Sequence, residues 1–147
     1  MAWKRILVNA DDFGRHACIN RAVEEGVTEL IREGISSQRL RGVRELHSAD
    51  VFIICVPTPI RSDKSSDMSI VQSAAENIAR VLRPGNLVVL ESTSAPGTCM
   101  NLISPTIERI SGLKAGTDYF LAHSPERVIP GNLLYELKHN HRIIGGI

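Results

Sequence analysis

At residues 49–59 the chain reads Ala-Asp-Val-Phe-Ile-Ile-Cys-Val-Pro-Thr-Pro. Six consecutive apolar residues, Val51 to Val56, predict a strand that is buried on both faces, and their β-branched side chains favour this conformation. The run ends at Pro57 because proline has no N–H to donate to a central ladder. A strand of this kind belongs in the middle of a parallel sheet.

Similar apolar runs recur along the chain, and the segments between them carry helical periodicity. Strands are predicted at residues 5–8, 51–56, 87–90, 119–122 and 142–144. Helices are predicted at residues 16–33, 70–82, 100–110 and 133–138. This alternation predicts right-handed crossovers and a three-layer, Rossmann-like α/β fold, with a mostly parallel sheet of about five strands and helices on both faces. Residues 35–47 show neither pattern clearly, and we expect a short strand and then a short helix there.

Length and charge limit the classes of protein to consider. A chain of 147 residues has the size of one domain, so we treat residues 1–147 as a single α/β domain. Its 17 basic and 16 acidic residues leave a net charge of +1 with no basic patch, so we expect neither nucleic acid nor a membrane as partner. We find no signal peptide and no apolar run of about 18 residues, and we expect a cytoplasmic protein. The three cysteines are far apart, which predicts reduced thiols rather than disulfides or a zinc site.

Polar residues follow three successive predicted strands, where ligands of parallel sheets bind. Pro57 and Thr58 follow the first of these strands, residues 91–93 the second and residues 123–126 the third. Hydroxyls, carboxylates and an imidazole could therefore converge on one edge of the sheet. Each residue taken alone also allows a structural role, in which the hydroxyls satisfy loop backbone and the carboxylates are solvated.

Three strings in this order resemble successive motifs of a known family. They are the string at residues 49–59, Glu-Ser-Thr-Ser-Ala-Pro-Gly-Thr at residues 91–98 and Ala-His-Ser-Pro-Glu-Arg-Val-Ile-Pro-Gly at residues 122–131. Residues 48–147 resemble the latter half of the NAD-binding domain of the UDP-glucose/GDP-mannose dehydrogenase family. The similarity is to the branch that oxidises UDP-N-acetyl-hexosamines to uronates.

The resemblance implies a site for NAD at the edge of the sheet. It implies that Pro57, Thr58, Ser92 and Thr93 bind the cofactor. It further implies that Thr93 lies near a catalytic water and that Glu126 contributes to catalysis or to substrate positioning.

The first strand departs from that family. It is followed at residues 9–14 by Asn-Ala-Asp-Asp-Phe-Gly instead of a glycine-rich turn that would hold a pyrophosphate. The carboxylates of Asp11 and Asp12 would repel phosphates placed beside them. The cysteine, lysine and asparagine that the family uses in oxidation lie in later domains. We therefore expect no efficient oxidation of a nucleotide sugar.

Residues 4–37 resemble the opening of a second family, the YdjC-like carbohydrate deacetylases. That resemblance implies that one of Asp11 and Asp12 binds a divalent metal and that the other acts as a base on metal-bound water. The alternative is that the pair caps a helix, which we favour. Two family openings in one chain predict a chimera, engineered or selected, with a junction near residues 37–47.

Three functions follow from these observations. The first is a recombinant α/β domain, derived from the NAD-binding domain of a nucleotide-sugar 6-dehydrogenase, without efficient catalysis. The second is a dinucleotide-binding fragment with weak affinity for NAD, and the third is a weak metal-dependent carbohydrate deacetylase. An incomplete sheet would also expose an edge strand, which predicts a homodimer through that edge and leaves a weakly bound nucleotide as a further ligand.

Overall fold

The computed structural model describes residues 6–9, 28–127 and 133–147. The chain divides into two compact units. The larger unit contains residues 1–11, 46–126 and 142–147, and the smaller contains residues 12–45 and 127–141.

The larger unit is built on one sheet. Its strands are β1 (Ile6–Asn9), β2 (Val51–Ile54), β3 (Leu87–Leu90), β4 (Phe120–His123) and β5 (Gly145–Gly146), and they lie in that order. The first four strands are parallel, and β5 pairs antiparallel with β4. The predicted Rossmann-like α/β fold with a mostly parallel sheet is therefore confirmed.

Helices connect these strands and also form the regular part of the smaller unit. The larger unit has α2 (Ser69–Ala79), a π-helical turn (Cys99–Ile103) and α3 (Ser104–Ser111). The described part of the smaller unit has α1 (Thr28–Ser36) and α4 (Leu133–His139). No helix among the described residues has the length and apolar character needed to span a bilayer.

One face of the sheet packs against the helices of the larger unit. Alternate strand residues point to this face and are almost completely buried, among them Phe52, Ile54, Val88, Leu90 and Leu121. Each fully buried side chain of this size stabilises the fold by roughly 1.5–3 kcal/mol. The intervening strand residues are half-buried or exposed in the described part of the chain.

Local contacts fix the two ends of α2. The Asp67 carboxylate accepts the backbone N–H of Ser69, the first residue of α2, at 2.9 Å and pairs with Arg61 at 3.1 Å, while the N-cap residue Met68 makes no capping hydrogen bond through its side chain. These contacts, the hydrogen bond with Ser69 first, lower the pKa of Asp67 to about 2. A turn follows α2, in which the N–H of Asn86 bonds the carbonyl of Arg83 at 3.2 Å and Gly85 has a φ of 83°. Only glycine adopts that φ without strain.

Two expectations for residues 28–47 differ from the structure, the first in its end point and the second in kind. Of the helix predicted at residues 16–33, the part before Thr28 lies outside the described residues. The described part continues past residue 33 and ends at Ser36. The Ser37 hydroxyl then bonds the Glu33 carbonyl at 2.6 Å, and Gln38 is left-handed with a φ of 58°. Residues 37–47 form neither the strand nor the helix that we expected.

The helix predicted at residues 100–110 begins differently. Its first turn is π-helical and changes to α-helix at Ser104, so Pro105 lies in a first turn, where a missing N–H is tolerated. Thr98 does not cap this helix, because its hydroxyl donates to the Ala95 carbonyl at 2.7 Å instead.

Candidate functional site

Three loops of the larger unit leave the sheet at the same edge. The strands β2, β3 and β4 are parallel, and their last residues, Ile54, Leu90 and His123, are register partners. The residues predicted to bind a cofactor or to act in catalysis follow these positions directly. The carboxyl edge of the sheet, formed by residues 55–59, 91–94 and 123–126, is therefore the candidate site.

Ser92 joins two of these loops through its side chain. Its hydroxyl accepts the Val56 N–H at 2.9 Å and donates to the Val56 carbonyl at 2.7 Å. Both residues are buried, with 8% of Ser92 and 5% of Val56 exposed. Ser92, which the resemblance assigns to the cofactor, thus holds the end of β2 against the end of β3.

Thr58 and Thr93 differ from Ser92 in their surroundings. Thr58 is half-buried and Thr93 is exposed. Within the described residues, neither hydroxyl makes an internal hydrogen bond, so both are available to a ligand. Pro57, between Val56 and Thr58, is half-buried and fixes the direction of its loop through its ring.

A charged cluster lies beside these residues. Arg142 pairs with Glu91 at 3.3 Å and with Glu126 at 3.2 Å. Its side chain is 37% exposed, so each pair contributes at most about 1 kcal/mol to stability. The larger effect is on geometry, because one guanidinium holds the carboxylates of two loops. The N–H of Glu126 also bonds the Glu91 carbonyl at 3.2 Å.

Cys55 belongs to the same cluster. Its Sγ donates to the Glu91 carboxylate at 3.3 Å. Burial, and then the hydrogen bond to Glu91, raise the pKa of the Cys55 thiol to about 12, although Arg142 acts in the opposite direction. Cys55 is therefore a protonated hydrogen-bond donor at neutral pH rather than a nucleophile.

His123 has a defined tautomer. Its Nδ1 lies 2.8 Å from the Leu90 carbonyl oxygen, which can only accept, so we assign the proton to Nδ1. The N–H of the buried Ser124 bonds the same carbonyl at 3.0 Å.

Sequence reasoning identified the edge but missed two of its members. Arg142 was assigned only to a final strand, and Cys55 only to the interior of β2. The partners of Arg142 lie 51 and 16 residues away in the chain, so no local pattern indicates the pairing.

The predicted metal ligands Asp11 and Asp12 lie outside the described residues. Within residues 6–9, 28–127 and 133–147, no three histidine, cysteine, aspartate or glutamate side chains are grouped as a metal site requires.

The chain matches a protein-family model. Residues 17–147 match the model described as "UDP-glucose/GDP-mannose dehydrogenase family, NAD binding domain". The match starts inside the segment that resembles the deacetylases and includes residues 37–47. It therefore assigns residues 17–47 to the same family as the rest, and the expected junction there gains no support.

Individual relatives agree with this match. The NDP-N-acetyl-D-galactosaminuronic acid dehydrogenase of Ralstonia solanacearum is 43% identical over 148 residues, which is 92% of this chain and 35% of that protein. The UDP-N-acetyl-D-mannosamine dehydrogenase of Pyrococcus horikoshii is 39% identical over 128 residues, which is 85% of this chain and 30% of the relative. The chain thus spans about a third of the length of the curated relatives that it matches.

A solved structure gives the same result. The UDP-N-acetyl-mannosamine dehydrogenase of Staphylococcus aureus superposes with a TM-score of 0.77 at 44% identity, over 84% of this chain and 30% of that one.

Proposed function

The chain belongs to the UDP-glucose/GDP-mannose dehydrogenase family, and from that premise we propose that it binds NAD at the carboxyl edge of its sheet. The observation that carries the proposal is the pair of available hydroxyls on Thr58 and Thr93, in adjacent loops beyond β2 and β3. Dinucleotides bind at this edge in open α/β sheets.

The residues at the edge fit the nicotinamide part of such a cofactor. Thr58 and Thr93 offer hydroxyl groups that both donate and accept, which suits an uncharged amide and a ribose. Arg142 pairs with both Glu91 and Glu126 and offsets one of their two negative charges, which reduces the repulsion of an anionic cofactor.

The side chains at the carboxyl edge have different roles in this proposal. Ser92 keeps the two loops in register through Val56, while Thr58 and Thr93 contact the cofactor. Bound NAD would supply a hydride acceptor. Glu126 would have the role in catalysis or substrate positioning that the resemblance implies.

Isothermal titration of the chain with NAD tests the proposal. Thr58→Val and Thr93→Val keep the side-chain shape and remove the hydroxyl, and we expect each to raise the Kd by about 5- to 10-fold. Thr117→Val is the matched control, because Thr117 is exposed and precedes β4, at the opposite end of the strands. We expect its Kd to equal that of the wild type.

Two results would contradict this function. One is a wild-type chain that unfolds cooperatively but shows no heat of binding with NAD at about 1 mM. The other is an equal loss of affinity in Thr93→Val and Thr117→Val. The first result would instead favour the first function predicted from the sequence, which is a folded α/β domain without efficient catalysis.

Oxidation of a sugar nucleotide is suggested by the names of relatives about three times as long as this chain. A chimeric origin and a metal-dependent deacetylase have no supporting observation among the described residues.

A homodimer through a sheet edge is a separate proposal. Among the described strands, β1 pairs with β2 alone, so its other edge has no described neighbour. Pairing with a second copy would satisfy those backbone groups. Light scattering after size exclusion measures the mass, and a monomer at about 100 μM would contradict the dimer.

A further inference from the structure

A cleft lies at the other end of the strands. One wall is formed by residues 46–48, which lead into β2. The other is formed by residues 80–83, which follow α2 and lead into β3. The cleft has a volume of about 460 Å³, which is within the range of small-molecule sites. It is separate from the carboxyl edge, because it lies where the same strands begin.

The cleft is lined by basic side chains. Arg80 and Arg83 line it from one wall and His47 from the other, and all three side chains are exposed. Within the described residues none of the three has an acidic partner. The other arginines in the described part of the larger unit, Arg61, Arg109 and Arg142, each pair with a carboxylate. Among the arginines that the structure describes in this unit, the unpaired ones are thus the two that line the cleft.

The end of α2 does not account for this charge. A helix C-terminus carries about half a negative charge, which is too little to offset two guanidinium groups. A cleft lined by one sign of charge also concentrates the opposite ion. The arrangement therefore favours a ligand with at least two negative charges.

The walls indicate what kind of anion fits. The N–H groups of Val81 and Leu82 already bond the Ile78 carbonyl at 3.0 and 2.9 Å, and the N–H of Arg83 bonds Asn86 Oδ1 at 2.8 Å. On this wall the anion would therefore be held by side chains, and guanidinium groups match phosphate oxygens in pairs.

The apolar part of the lining suggests the rest of the ligand. Leu46 and Val81 are half-buried and Leu82 is buried. They offer apolar surface beside the charges, and the cleft is larger than a single phosphate requires. We propose that this cleft binds a small phosphomonoester, with its phosphate between Arg80 and Arg83 and its organic part against Leu46 and Val81.

Amide NMR of the ¹⁵N-labelled chain tests the site with two probes, inorganic phosphate and phenyl phosphate. We expect saturable shifts confined to residues 46–48 and 80–83, with tighter binding of phenyl phosphate because of the apolar lining. Arg80→Gln and Arg83→Gln should each weaken binding about tenfold, since each removes a charge-assisted contact. Arg109→Gln is the matched control, because Arg109 is also exposed but lies outside the cleft.

Three outcomes would overturn the proposal. The first is the absence of saturable shifts with either probe up to about 10 mM. The second is an equal effect of Arg80→Gln and Arg109→Gln, which would indicate diffuse surface charge. The third is tighter binding of hexaglutamate than of phenyl phosphate, which would assign the cleft to an acidic peptide.

A parallel titration with NAD keeps this proposal independent of the proposed function. Its shifts should fall on residues 57–58 and 92–93 and should be unchanged in Arg80→Gln. Loss of one set of shifts without the other identifies which of the two proposals has failed.

Discussion

Replacing Ser92 with alanine removes the hydrogen bonds that its hydroxyl makes with the N–H and the carbonyl of Val56, and a longer one of 3.3 Å to the Ile54 carbonyl. The Val56 N–H is buried, and leaving such a donor without its partner costs about 1–3 kcal/mol. The lost bond to the Val56 carbonyl adds about 0.5–1.5 kcal/mol. We therefore expect Ser92→Ala to lower the free energy of unfolding by roughly 2–3 kcal/mol, a large share of the roughly 5–15 kcal/mol that holds a domain together.

Urea unfolding at neutral pH, followed by circular dichroism, measures this loss. We expect an unchanged m-value and a lower midpoint, together with a Tm lower by roughly 5–10 °C. Ser65→Ala is the matched control, since the Ser65 hydroxyl also makes a hydrogen bond, at 2.6 Å to Asp63, but is exposed. If Ser92→Ala costs less than about 0.5 kcal/mol, or no more than Ser65→Ala, Ser92 does not join the strands as we describe.

Alkylation of Cys55 by iodoacetamide at about pH 8 should be roughly a thousandfold slower than that of an ordinary thiol, because a pKa of about 12 leaves little thiolate, and Glu91→Gln should accelerate it. Asp67→Asn should destabilise the fold at neutral pH. Because the folded pKa of Asp67 is lowered to about 2 from 3.8, its contribution is complete above the ordinary pKa, and unfolding curves should show it disappear as the pH falls through about 2. Gly85→Ala should cost about 1 kcal/mol in urea unfolding, because its φ of 83° strains any side chain.

A specific result would contradict each of these three predictions. Peptide mapping that finds Cys55 labelled as fast as a free thiol would show that the thiol is not held protonated. If the unfolding curves of wild type and Asp67→Asn stay equally far apart down to about pH 2, the ion pair with Arg61 and the hydrogen bond with Ser69 do not stabilise the fold as we describe. Gly42→Ala is the control for the turn, since Gly42 has no positive φ and no atom within 4 Å of an added Cβ, and an equal cost there would refute the strain.

The strands were predictable because their signal is local. The run at residues 87–90 gave the bounds of β3 correctly, and β4 was displaced by only one residue. Burial on a parallel sheet demands consecutive apolar residues, which are visible without knowledge of the partner strand. The prediction for β2 was two residues too long, because Cys55 and Val56 leave the ladder to contact Glu91 and Ser92.

The last strand was predicted at residues 142–144, and this prediction was wrong because β5 is Gly145–Gly146. Ile143 and Ile144 have the composition of a strand, yet the pairing falls on Gly145 and Gly146. An added Cβ on Gly146 would lie 3.2 Å from the Leu121 carbonyl, so close approach to β4 decides the pairing rather than β propensity. That contact joins residues that are far apart in the sequence, and so do the ion pairs of Arg142. The sequence alone therefore indicates neither.

The sheet is not equally stable along its width, and hydrogen exchange would show this directly. Strands β2 and β3 have bonded neighbours on both sides and one fully buried face, so their amides exchange only on global unfolding. Strand β5 consists of two exposed glycines held by a single partner, so it opens locally at much lower free energy. Because Arg142 lies three residues before β5, each such opening would release Glu91 and Glu126 while the rest of the sheet stays folded.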